Sequence, residues 1–368
     1  MTDRLRHILF VDDDPRILSG LRNGLRRHRA CWDMAFADSG QAALLELETK
    51  RFDVVVSDMR MPQMDGVELF ETVRSRYPQT ARIILTGYAE HGAIARIFAV
   101  AHQLLSKPCP SAVISSAIER ACELHDVLSD PATCAVMAQI PELPGPPRLY
   151  FDIALTLAYP EIPIADIAAT LANAPDTCAR LLELCTPQLG FDHPIENAEQ
   201  AITHLGPELI GPLVLAAHAW TTIGSVADIS PLGTRHHGID VARLAATSSD
   251  RGQASDAFAA GLVHDIGKLL LARYLPAEHA SIARTARDTG VRAHVAEQAL
   301  LGTTHAAIGA NLMARWGIAL PIIDAIARHH STTTVDALAA TISNAHRSAR
   351  SSRPPMTFPH PSSSSRTF

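Results

Sequence analysis

Residues 52–58, Phe-Asp-Val-Val-Val-Ser-Asp, put three consecutive valines and a terminal carboxylate into one short run. Three valines in a row show no polar alternation, so a strand made of them must be covered on both faces. That is the condition of a parallel sheet held between two layers of helices. A carboxylate is poorly accommodated in the middle of such a strand, but it can stand at the C-terminal end, where open α/β sheets place their ligands. Asp58 has that position, just before a Pro62/Gly66 turn and a new helix. Asp12 and Asp13 close a strand at 7–11, Thr86 closes one at 81–85, and Lys107 closes one at 103–106. Carboxylates, a hydroxyl and an amine converging on one sheet edge describe a phosphorylatable aspartate with a divalent cation beside it.

The rest of the N-terminal third repeats the same unit. Strands are expected near 7–11, 32–36, 52–57, 81–85 and 102–106, and amphipathic helices over 15–29, 40–50, 67–77, 92–101 and 110–124. Five βα units make a doubly wound five-stranded parallel sheet with helices on both faces, an α/β domain over 1–124. Residues 125–139 read as the tail of the last helix plus a linker. From 140 to 350 the β-branched alternation gives way to Ala, Leu and Ile at helical spacing, broken by prolines, which predicts an all-helical domain of nine or ten helices. The end, 351–368, is rich in Ser, Pro and Arg, and no acid follows Asp336. It is expected to be a disordered, solvated tail, with a basic docking arm as the alternative.

With 368 residues the chain can bury two separate cores. A formal net charge of −6 argues against a dominant nucleic-acid surface, and the basic residues Arg22, Arg26, Arg27 and Arg29 read as a solvated helix face. The six cysteines, at 31, 109, 122, 134, 178 and 185, include no Cys-x-x-Cys pair, so neither a disulfide framework nor a thiolate zinc site is indicated. There is no apolar run of the ~18 residues a membrane span needs and no apolar signal core at the N-terminus. A cytoplasmic protein without membrane association is expected.

At the sheet edge, Mg²⁺ favours oxygen ligands, which Asp12, Asp13 and Asp58 supply. Lys107 offers a point charge to a phosphoryl group. Thr86 can donate a hydrogen bond to a phosphate oxygen and, by moving, pull on the loop 87–91. With the acid pair, Asp58, Thr86 and Lys107-Pro108 all in place, residues 1–124 resemble the receiver domain of two-component response regulators. The resemblance implies a flavodoxin-like fold, Mg²⁺, and phosphorylation of Asp58 by a sensor histidine kinase or phosphotransfer protein. It also implies pairing of receivers into a homodimer on phosphorylation. Leu104 stands where the family often has Tyr or Phe, which points to an altered conformational readout.

The helical region holds twelve histidines. His264-Asp265-Ile266-Gly267-Lys268 is expected inside an apolar helix at 257–273, with His237 upstream. His305 opens another helix, and His329-His330 end a helix at 321–330. Imidazoles from neighbouring helices around an adjacent His-Asp pair can build a divalent-metal site in a helical bundle. The His-Asp-Ile-Gly-Lys run resembles the HD superfamily of metal-dependent phosphohydrolases. The wider text resembles its HDOD (HD-related output) branch: 140–144, 200–206, Glu297 ahead of His305, and 316–321 before the histidine pair. The resemblance implies His237, His264, Asp265, His305, His329 and His330 as ligands for Mn, Fe or Zn. At the place of the final ligand, usually an aspartate, the corresponding stretch offers Asn344, a weaker ligand. His193, His204, His218, His279, His294 and His346 carry no motif and are expected at the surface or as satisfied interior groups.

Two readings of function stand at this point. The preferred one is a response regulator whose HDOD domain is a non-catalytic output module acting on an unknown protein partner, its histidines forming a hydrogen-bonded cluster. The alternative is a phosphodiesterase or phosphatase gated by the receiver.

Overall fold

The computed structural model describes residues 5–77, 79–87, 100–145, 147–157, 163–185, 189, 195–224, 231–250, 252–331 and 337–351. The helix expected at 92–101 falls almost wholly outside these residues, as does the tail beyond 351.

The N-terminal part is the expected sheet. Strands β1 (Arg6–Val11), β2 (Trp32–Ala37), β3 (Val54–Asp58), β4 (Ala81–Thr86) and β5 (Gln103–Ser106) pair in the order β2-β1-β3-β4-β5. Every pairing is parallel. Side chains alternate between the two faces. Leu9, Val11, Val55 and Ile84 pack into a core with helices α2 (Gly40–Thr49) and α3 (Gly66–Arg76). Ile8, Phe10, Val54, Val56, Ile83 and Leu85 face the opposite core with α1 (Pro15–Gly24) and α4 (Ser111–Leu128). The first helix is shorter than the expected 15–29: it stops at Gly24 and a 3₁₀ turn follows at Arg26–His28. Glycine is a poor interior helix residue, and at position 24 a Cβ would meet Ser111 Oγ of α4 at 2.2 Å.

Residues 125–139 are largely helical. They form the last turn of α4, which runs on to Leu128, and then α5 (Pro131–Ala138), capped by the Asp130 side chain. The second core is continuous with the α4 face of the sheet, from Ile118 and Leu124 through Met137 to Leu312 and Ile323. The two parts therefore share buried surface rather than hanging on a free linker.

Beyond it lie α6 (Arg148–Leu157), α7 (Ile164–Ala172), α8 (Pro175–Leu184), α9 (Ala198–Leu205), α10 (Ile210–Ile223) and α11 (Pro231–Ser248). These are followed by α12 (Ala254–Val263), α13 (Ile266–Tyr274), α14 (Pro276–Thr289), α15 (Ala293–Leu301), α16 (His305–Trp316), α17 (Leu320–Arg328) and α18 (Ala337–Ser351). Among the described residues that makes thirteen short helices rather than nine or ten. One cause lies at the site itself. The helix expected over 257–273 is broken at His264-Asp265, where Asp265 has φ −95° and ψ 11°, the sparsely populated region between α and β. The break turns both side chains to one side. No helix of the described residues is long and apolar enough to cross a membrane.

Candidate functional site

Two sites emerge, one on each part of the chain. The first is the C-terminal edge of the sheet. Parallel pairing of β1 with β3, and of β4 with both β3 and β5, brings their ends together, so Asp12, Asp13 and Asp58 offer oxygens within 4.8 Å of one another. Lys107 Nζ lies 2.5 Å from Asp58 Oδ1 and 3.0 Å from Asp12 Oδ2. Asp12 also accepts the Asp14 N–H at 2.9 Å, and Asp58 Oδ2 accepts the Arg60 N–H at 3.3 Å. Burial raises the Asp58 carboxyl above its ordinary value, against the pull of Lys107. Burial also works to lower the Lys107 ammonium, but its bonds to Asp58 and Asp12 outweigh that, and it is raised. Thr86 is buried at the end of β4, and its carbonyl accepts the Lys107 N–H at 2.7 Å. Asp12, Asp13, Asp58 and Lys107 thus meet, and Thr86 adjoins them through its backbone.

The second site is a buried nest of imidazoles around Asp265. His264 ends α12 and Asp265 precedes α13. His237 comes from α11, His305 opens α16, His329 and His330 follow α17, and His346 comes from α18. They fall into two lobes. In one, His346 Nδ1 lies 3.0 Å from His264 Nε2 and 3.2 Å from His237 Nε2. In the other, His330 Nε2 lies 3.0 Å from His305 Nε2. Asp265 stands between them. Its Oδ2 faces His264 (3.5 Å) and His237 (4.0 Å), and its Oδ1 faces His305 (3.2 Å) and His329 (3.6 Å).

The far side of each ring fixes its tautomer. His264 Nδ1 donates to the Gly261 carbonyl and His329 Nδ1 to the Ile326 carbonyl, each at 2.7 Å. His305 Nδ1 donates to Glu297 at 2.6 Å, and the same carboxylate accepts the His305 backbone N–H. A neutral imidazole carries one proton, so the Nε2 atoms of His264 and His329, whose rings burial keeps neutral, face Asp265 bare. His305 Nε2 stands 3.2 Å from Asp265 Oδ1, and Asp265 Oδ1 and His329 Nε2 are buried without a hydrogen-bond partner. Burial, reinforced by neighbouring imidazoles, pushes His264, His329 and His330 below the ordinary imidazole range. Burial opposes ionisation of Asp265, yet it is held well below the usual carboxylate range, with the Lys268 ammonium 2.6 Å from Oδ2. Bare nitrogens and an anionic oxygen aimed at common points, with outer partners orienting the rings, fit divalent cations.

Close backbone approach makes the nest. A Cβ on Gly267 would stand 2.0 Å from the His305 carbonyl oxygen, so only glycine lets α13 lie against the start of α16. A Cβ on Gly261 would meet Ala242 of α11 at 2.5 Å.

The sequence-level assignment needs one correction. Asn344 is exposed and bonded to Arg347, turned away from the nest, and His346 takes the place assigned to it. On α18 the buried residues are Leu338, Ala339, Ile342, Ser343, Ala345, His346 and Ala349, a helical stripe that includes 346 and leaves out 344. Among the other motif-free histidines, His218 meets the Gly145 carbonyl at 2.9 Å and His294 stacks on His330.

The HDOD domain model matches residues 143–332, just over half of the chain. The chain belongs to the HDOD family. Its N-terminal part is a response regulator receiver domain, matched over residues 8–119. The HDOD part has the fold of a crystallised HDOD domain protein of unknown function from Geobacter sulfurreducens, 24% identical, with a TM-score of 0.51 over 59% of this chain and 76% of that one. The receiver is similar to that of the transcriptional regulatory protein GlrR of Escherichia coli K12, 36% identical over 127 residues, which are 33% of this chain and 28% of that protein. It is also similar to the hydrogenase transcriptional regulatory protein HoxA of Cupriavidus necator, 34% identical over 90 residues, 24% of this chain and 18% of that one. The chain thus spans well under a third of the length of these regulators.

Proposed function

We propose that this HDOD protein is a phosphorelay response regulator: Asp58 accepts a phosphoryl group from a sensor histidine kinase or phosphotransfer protein, and the HDOD domain passes the signal to a protein partner. The supporting observation is the Lys107 amine standing between Asp58 and Asp12. In the transfer a P–O bond forms to the Asp58 carboxylate as the donor's P–N bond breaks, and the donor imidazole leaves. Asp12, Asp13 and Asp58 would hold Mg²⁺, which supplies charge neutralisation for the phosphoryl oxygens. Lys107 keeps Asp58 paired as an anion before transfer, and its charge is then available to the phosphoryl group. The Thr86 hydroxyl sits at the end of β4, where it can donate to a phosphoryl oxygen. Radiolabelled acetyl phosphate with Mg²⁺ tests the reading. Label is expected on the wild-type chain and absent from Asp58→Ala; label surviving unchanged in that variant contradicts it.

A second reading is favoured by the bare Nε2 atoms around Asp265. In it, His237, His264 and His346 hold one divalent cation, His305, His329 and His330 a second, and Asp265 lies between them. Six imidazoles and one carboxylate suit Zn, Fe or Ni better than Mg or Ca. Such cations, when bound, supply the Lewis acid and hydroxide chemistry of phosphoester hydrolysis. This chain's contribution is to orient the rings through Gly261, Ile326 and Glu297 and to present the Lys268 charge beside Asp265. Metal analysis of the purified full chain, with turnover of model phosphodiesters, tests it. Bound metal without turnover supports a metal-holding output module, and turnover lost in Asp265→Ala supports an enzyme. Neither metal nor turnover returns the cluster to a purely structural role.

A further inference from the structure

The lobe formed by His305, His329 and His330 is carried by α16 and by the two residues that directly follow α17, and the N-terminal part grips both helices. At the N-terminus of α17 the Leu320 N–H donates to the His102 carbonyl at 2.6 Å. His102 is the residue just before β5, and Lys107 is the residue just after it. His102 is itself tied down. Its N–H donates to the Arg82 carbonyl at 2.8 Å, and its Nδ1 accepts the Arg82 N–H at 3.1 Å. Its ring also meets the Ala314 carbonyl of α16. At the other end of α17, Arg328, adjacent to His329, donates to Glu123 of α4 at 3.0 Å and to Asp324 at 2.7 Å. On α16, Asn311 Nδ2 donates at 3.2 Å to the carbonyl of Leu128, the last residue of α4.

Between these grips α17 is a short, well-buried rod. It is nine residues long, ~13 Å at the usual rise, with Leu320, Ile322, Ile323, Asp324, Ala325 and Ile326 buried. The His329 ring is bonded to Ile326 of the same helix, so it travels with the rod. The other lobe rides on α11, α12 and α18.

We propose that β5 and α17 form one lever from the phosphorylation site to the metal centre. When the Asp58 carboxylate becomes an acyl phosphate, the charge that Lys107 pairs with changes position. Lys107 follows, β5 shifts at its C-terminal end, and His102 passes the shift to Leu320 and so to His329 and His330. The phosphorylated receiver thereby changes how firmly His305, His329 and His330 hold a cation, and leaves the His237/His264/His346 lobe as it was. The inference rests on the two-lobed metal reading given above. It names the lobe that is regulated and the path of regulation. A switch of this kind works only through different interactions in its two states, and here the differing interaction is the Lys107 pairing.

The test uses the full chain loaded with Zn²⁺ and mixed with a chromogenic chelator, before and after treatment with acetyl phosphate and Mg²⁺, with phosphorylation verified by intact mass. Two release phases are expected. Phosphorylation should change the rate of one by about fivefold or more, the scale of ordinary allosteric coupling, and leave the other unchanged. Leu320→Pro removes the N–H given to His102 at a first-turn position that tolerates proline, and should abolish the shift. Leu320→Ala keeps the N–H, loses packing, and should retain it. Glu123→Gln, at an exposed pair, should reduce the shift in a chain that folds normally. Two unchanged phases in protein proven to be phosphorylated would overturn the lever.

If the chain takes up no Zn²⁺, the metal reading fails by itself, and hydrogen exchange decides the lever. Phosphorylation should then alter protection of 320–330 more than of 237–245. Equal or absent change overturns it.

Discussion

Gly267→Ala probes how the histidine nest is assembled. The added Cβ would lie 2.0 Å from the His305 carbonyl oxygen, 2.8 Å from its carbon and 2.9 Å from the Gly309 nitrogen. These are backbone atoms in or at the start of another helix, so no side chain can rotate away. Helices α13 and α16 would have to part by about 1 Å or more, in an interior that does not compress. Overpacking of this kind costs ~1–3 kcal/mol. A 2.0 Å clash with backbone belongs in the upper part of that range; alanine's better helix propensity returns at most about 1 kcal/mol, so the net loss is expected at ~1–2 kcal/mol. The same movement carries His305 away from Asp265, now 3.2 Å distant, and should weaken metal retention. Urea titration and metal analysis of the variant measure both effects. Gly20→Ala is the control: it lies within α1 with nothing within 4 Å of the added Cβ, and it should be neutral or stabilising. If Gly267→Ala is as stable as wild type and retains its metal, the close-approach argument is refuted.

The metal-free chain should be acid-sensitive. His102, His264, His329 and His330 resist protonation when folded, below their ordinary value of 6.5. The unfolded chain takes up those protons near 6.5, so it binds more protons below that pH, and stability falls by ~1.4 kcal/mol per pH unit for each ring that stays neutral. Urea midpoints should be level above pH 7 and drop from 6.5 to 5.5; a midpoint that rises on acidification contradicts the neutral-ring assignment. Asp265→Asn removes the single anionic oxygen pair shared by the two lobes. Metal content by mass spectrometry should fall, and unchanged content would mean that Asp265 is not needed to hold a cation.

The sheet was legible because a run such as Val54–Asp58 has few ways to be buried, and because parallel strands bring their C-terminal ends to one edge. Asp12, Asp58, Thr86 and Lys107 could therefore be assigned together before any contact was seen. The helical domain was less legible in its boundaries. The apolar run from 257 to 273 has the periodicity of one helix, and nothing local announces the break at His264-Asp265, which depends on α11 and α16 packing close enough to face it. His346 was in reach: the spacing of Leu338, Ala339, Ile342, Ala345 and Ala349 puts it on the buried stripe of α18 and puts Asn344 outside. Seeking the usual carboxylate drew attention to the wrong residue. The docking of α17 on His102 had no sequence signal, since it is made by a backbone N–H and a backbone carbonyl.

The most direct test of the account is chemical trapping of the acyl phosphate. The full chain, treated with acetyl phosphate and Mg²⁺, is reduced with borohydride, which converts a phosphorylated aspartate to homoserine, and the peptides are mapped. The account predicts conversion at Asp58, dependent on Mg²⁺. Conversion at another carboxylate, or none in protein that is folded and supplied with Mg²⁺, would contradict it.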